Sequence, residues 1–92
     1  MLTSAVAKMR SMLLEMEKDL GLAELSEAQR DVLYAITLLS AKDGIANIED
    51  IQSHELTQFI SRPTLFRALT VLSDKKIIQR IGTERSGKYQ VI

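Results

Sequence analysis

Residues 61–69 read SRPTLFRAL, and the fold turns on whether they open a helix. Ser61 is a residue type that caps helix N-termini, accepting a hydrogen bond from a backbone N–H that has no partner within the helix. Pro63 falls in the first turn, where its missing N–H costs nothing. Leu65, Leu69 and Leu72 then recur at helical spacing with Ala68 beside them, which predicts an inward stripe. Arg62, Thr64, Arg67 and Thr70 are left facing outward. The run SDKK closes a helix predicted over about residues 61–73.

Downstream, IIQRIGTERSGKYQVI, residues 77–92, places β-branched and apolar segments either side of the turn-rich GTERSG. This pattern predicts a β-hairpin. Arg85 lies at its tip and Lys88 just beyond.

Upstream, Ser26 followed by Gln29 has the spacing of a capping box. It opens a helix whose broad apolar face is Ala28, Val32, Leu33, Ala35, Ile36 and Leu39, ending at Gly44. Ile45–Ala46 is expected to form a very short strand. Asn47 then caps a short helix with Ile48 and Ile51 turned inward. At the start of the chain, Leu2, Val6, Met9, Leu13, Met16 and Leu20 are spaced 4, 3, 4, 3, 4. That is the narrow seam of a heptad repeat. Ala5, Met12 and Leu14 widen the apolar face beyond one contact surface. The seam either packs on its own domain or pairs with a second subunit, and the widened face favours the second. Residues 1–92 are expected to form one mainly helical domain with a small hairpin, an α+β class.

The composition is globular, with 46% apolar and 26% charged residues. No apolar run is long enough to span a bilayer, and the first residues lack the pattern of a secretory signal, so a cytoplasmic location is expected. With no cysteine, disulfides and thiolate metal sites are excluded. His54 is the single histidine, and the four glycines are scattered rather than gathered in a phosphate-binding loop. Neither an enzyme, a metal nor a cofactor is expected. The net charge is zero, but it is unevenly spread. Residues 1–54 carry 5 Lys/Arg against 9 Asp/Glu, and residues 55–92 carry 7 against 3. A zero average thus hides a basic half that contains SRPTLFRAL.

The order helix, helix, short strand, helix, helix, hairpin resembles a winged helix-turn-helix. More narrowly, LSEAQRDVLYAI followed by ISRPTLFRALTVLSDKKIIQRI is similar to the MarR-type transcriptional regulators. The resemblance covers roughly residues 25–92, with a wing over about 77–92. Lys76 stands where that family commonly has glycine. The resemblance implies a dimer that binds double-stranded DNA, with the helix of residues 61–73 in the major groove and the wing on the backbone or minor groove. Such regulators usually add C-terminal helices to their dimer contacts. Here those contacts are expected from residues 2–20.

On that reading Ser61 and Thr64 offer hydroxyls to phosphate at a helix N-terminus. Arg62 and Arg67 reach phosphate or guanine O6/N7, and Thr70 follows on the same face. Arg85 and Lys88 lie along the phosphates or the minor groove. Phe66 either contacts a thymine methyl or turns inward against Phe59 or the wing. The competing reading is a winged-helix protein–protein module that does not bind DNA. A pocket lined by Met9, Met12, Met16 and Tyr34 would suit a small-molecule effector, and the same four side chains would equally serve as core.

Overall fold

The computed structural model describes residues 2–82 and 87–92. Helix α1 is Leu2–Asp19, followed by a single 3-10 turn at Leu22–Glu24. Then come α2 (Glu27–Asp43), β1 (Ala46–Asn47), α3 (Ile48–Ser53), α4 (Arg62–Asp74), β2 (Ile78–Ile81) and β3 (Lys88–Val91). The chain is mainly helical with a small antiparallel sheet of strand order β1-β3-β2, an α+β architecture.

Local chemistry explains the helix ends. Ser26 Oγ accepts from Gln29 N–H at 3.2 Å, and the Gln29 side chain accepts from Ser26 N–H at 3.0 Å, so the capping box closes both ways. Ser61 likewise caps α4, with Pro63 in the first turn. At the other end of α4, Ile77 N–H reaches Leu72 O and Lys76 N–H reaches Ser73 O, each at 3.0 Å. This pair of bonds is a Schellman ending, which needs a left-handed residue after the helix. Lys76 is that residue, with φ of 61°. The position where glycine was expected from the resemblance therefore does have glycine's backbone, held by a lysine.

The core lies between α2, α3, α4 and the sheet. Val32, Leu33 and Ile36 of α2 meet Ile51 of α3 and Leu65, Ala68, Leu69 and Leu72 of α4, with Ala46, Ile78 and Tyr89 closing the sheet side. Each fully buried Leu or Ile contributes about 1.5–3 kcal/mol of transfer free energy. The helix-period stripe of α4 is thus buried as its spacing predicts.

The sheet differs from the expected two-stranded hairpin. β2 and β3 pair with Arg80 opposite Tyr89. β1 adds to the other side of β3, with Ala46 opposite Tyr89 and Asn47 opposite Lys88. The short strand begins one residue later than the sequence suggested. The reason is that Ile48 N–H continues the ladder to Gly87 O at 2.7 Å. Gly87 tolerates this approach because it has no Cβ; one built there would meet Ile48 Cγ2 at 2.7 Å.

Helix α1 projects from this body. The radius of gyration is 14.0 Å and the principal extents are 48 × 27 × 24 Å, against about 12 Å expected for a compact chain of this length. Among the described residues, no helix is long and apolar enough to cross a membrane.

Candidate nucleic-acid interface

The exposed side of α4 carries Arg62, Pro63, Phe66, Arg67, Thr70 and Asp74. Its order follows from burying Leu65, Ala68, Leu69 and Leu72 on the opposite side. Arg67 Nε donates to Pro63 O at 3.3 Å, which folds the guanidinium back over the first turn. The Arg62 guanidinium lies 5.4 Å from the centre of the Phe66 ring. Two cationic groups therefore gather at the N-terminal turn of α4, where the helix dipole is also positive. Among the described residues, neither arginine is ion-paired with a carboxylate.

Thr64 is half-buried, and its hydroxyl accepts from Ser61 Oγ at 2.8 Å. Ser61 Oγ in turn accepts the Thr64 N–H at 3.4 Å. Both hydroxyls serve the cap; Ser61 is exposed, while Thr64 is half-buried rather than fully outward as its spacing suggested. Thr70 is exposed and donates to Phe66 O at 3.1 Å, leaving its oxygen as an acceptor.

Phe66 sits at the border, 36% exposed. It does not pack on Phe59, which is 94% exposed in the turn before α4. Instead it lines a cleft of about 250 Å³ between α4 and the hairpin, with Leu69, Thr70, Asp74, Arg80 and Tyr89. Of the two inward neighbours the sequence allowed, the hairpin rather than Phe59 is the one beside it. Arg80, across the sheet from Tyr89, stacks 5.6 Å over its ring and donates to its hydroxyl at 3.1 Å. Arg80 was absent from the expected set. Its position directly before the apolar end of β2 was the available signal. Lys88 is exposed at the start of β3, and Arg85 lies outside the described residues.

The expected dimer seam is uncovered. Leu2, Val6, Met9, Leu13, Met16 and Leu20 are all exposed, as are Met12 and Leu14. Met9, Met12 and Met16 are exposed, which corrects the expectation that they serve as core. The groove between α1 and α2 is formed instead by Leu13, Tyr34, Thr37, Leu38 and Leu56, with a volume of about 330 Å³.

What ties α1 to the body is polar. Glu17 is 3% exposed, accepts a hydrogen bond from Tyr34 Oη, and lies 3.6 Å from Arg30 Nε. The Tyr34 hydroxyl is pushed up to about 12, first by burial and then by the bond it donates to Glu17 and that carboxylate's charge. Asp31 is also raised, by burial and then by Glu27, while Arg30 and Arg10 pull it down. His54 belongs to the turn after α3, where its Nδ1 accepts from Leu56 N–H at 3.1 Å.

No protein-family model matches the chain, and neither a curated protein nor a solved structure does.

Proposed function

We propose that the chain is a winged helix-turn-helix transcriptional regulator, similar to the MarR type, that binds double-stranded DNA as a dimer. In this reading α3 and α4 form the helix-turn-helix, α4 is the recognition helix, and the β2–β3 hairpin is the wing. The observation that carries it is the exposed N-terminal turn of α4, where Arg62 and Arg67 gather without a carboxylate partner among the described residues. Their guanidiniums suit phosphate or the O6/N7 edge of guanine. Thr70 extends the same face, and Lys88 and Arg85 serve the wing.

The test is a charge reversal, Arg62→Glu with Arg67→Glu, on binding to duplex DNA. Both side chains are exposed, so the fold should survive it. The reading expects binding to be lost with the helical circular dichroism unchanged. Undiminished binding would remove α4 from the interface.

One observation favours a second reading, a protein–protein module. Phe59 is almost fully exposed beside the N-terminus of α4, and aromatic side chains of this kind anchor protein interfaces. On that reading the same face would take a protein segment instead of a groove.

A further inference from the structure

We propose that the cleft between α4 and the hairpin binds a free α-amino acid with an apolar side chain, its ammonium at Asp74 and its carboxylate at Arg80. This goes beyond the proposed function. The site stands on its own chemistry and is tested without DNA.

One wall of the cleft is a single stripe of α4. Phe66, Leu69, Thr70, Ser73 and Asp74 line it, and the spacing i, i+3, i+4, i+7, i+8 puts them on one helix face. The stripe is graded along about 12 Å of helix, at 1.5 Å per residue. It is apolar at Phe66 and Leu69 and polar from Thr70 to Asp74. The opposite wall is the cross-strand pair of Arg80 and Tyr89. A ligand that matches this lining has an apolar end and a polar end.

Charge narrows the ligand further. Asp74 and Arg80 both line the cleft, yet they are not within ion-pair distance of each other. A simple anion placed between them meets the carboxylate of Asp74, and a simple cation meets the guanidinium of Arg80. A zwitterion satisfies both. The volume of about 250 Å³ falls below the ~300–1,000 Å³ of sites for drug-sized ligands. That favours a free amino acid over a peptide.

The position of Asp74 points the same way. It is the last residue of α4, where the negative end of the helix dipole disfavours a carboxylate. Its side chain has no hydrogen-bond or ion-pair partner among the described residues. Lys75 and Lys76 follow it in sequence, but neither lines the cleft. An ammonium group at this point meets both the carboxylate and the negative helix end. Thr70 donates its own proton to Phe66 O, so its oxygen is a further acceptor for the ammonium.

Arg80 is positioned by Tyr89. Its guanidinium donates to Tyr89 Oη at 3.1 Å and lies 5.6 Å from the ring centre. Tyr89 is itself buried, at 2% exposure. A guanidinium fixed in this way is preorganised for the two parallel N–H···O bonds that a carboxylate accepts. At the apolar end, Leu69 is buried and Phe66 is 36% exposed. An apolar side chain seated there removes the rest of the Phe66 ring from water, which is favourable.

The probe is L-phenylalanine, titrated at millimolar concentration into the isotope-labelled wild-type chain and followed by amide chemical shifts. Saturable shifts are expected in residues 66–74 and at Arg80 and Tyr89. Two analogues each lack one charge: phenylpropionate has no ammonium and phenylethylamine no carboxylate. Each is expected to bind on the order of tenfold more weakly, the loss of one charge-assisted bond. Asp74→Asn should weaken L-phenylalanine by a similar factor and leave phenylpropionate no weaker. Arg80→Gln should weaken L-phenylalanine and leave phenylethylamine no weaker. Both side chains are exposed, so the fold should survive, and the amide spectrum of each variant checks it. No saturable shift with L-phenylalanine, or shifts confined to the groove between α1 and α2, would overturn the site. An analogue that binds as tightly as L-phenylalanine would overturn the role of the residue facing its missing charge.

Discussion

Tyr34 donates its hydroxyl hydrogen bond to the buried carboxylate of Glu17, joining α1 to α2. Arg30 approaches the same carboxylate oxygen and also donates to Leu22 O and Leu25 O, so the turn between the two helices is held from one centre. A hydrogen bond to a charged acceptor contributes about 1.5–3 kcal/mol. Tyr34→Phe is therefore expected to lower unfolding free energy by about 1–3 kcal/mol in urea titration. An unchanged midpoint would mean that the Glu17 contact adds nothing to the folded state.

The same contact sets a pH dependence. The Tyr34 hydroxyl ionises near 12 in the folded chain against an ordinary value of 10.0. Folding thus favours the protonated phenol. That contribution is complete below the unfolded value and is lost as pH rises through the folded one. The stability difference between wild type and Tyr34→Phe is expected to be constant below pH 10 and to shrink between pH 10 and about 12. Urea midpoints across that range measure it.

Lys76 holds a left-handed backbone that glycine adopts without strain. The strain for a residue with a Cβ is about 1–2 kcal/mol, partly offset by the greater freedom of glycine in the unfolded chain. Lys76→Gly is expected to stabilise the protein by about 0.5–1 kcal/mol, raising the thermal midpoint. A lower midpoint would show that the lysine side chain contributes more than its backbone costs.

Much of the fold was legible because its signals are local. Ser61, Pro63 and the leucine stripe specify α4 within one segment, and Ser26 with Gln29 does the same for α2. The third strand was not legible, since two residues carry no periodicity and β1 exists only by pairing with β3. The role of Glu17 was hidden in the same way. Beside a seam it reads as one more solvated acid, and its partner Tyr34 is 17 residues away. In the candidate interface, Arg62 and Arg67 stood out by their place on α4. Phe66 was ambiguous because a position on the flank of a helix is decided by whatever lies beside it, here the hairpin. The exposure of Phe59 depends on the path of an irregular turn, which spacing rules do not describe.

The most direct measurement is fluorescence anisotropy of the wild-type chain on labelled duplex DNA at several salt concentrations. Each phosphate neutralised contributes about −0.9 to the slope of log affinity against log salt. With Arg62, Arg67 and Lys88 as the contacting cations, the account expects saturable binding with a slope of about −2 to −4 per subunit. No binding at low salt, or binding indifferent to salt, would contradict it.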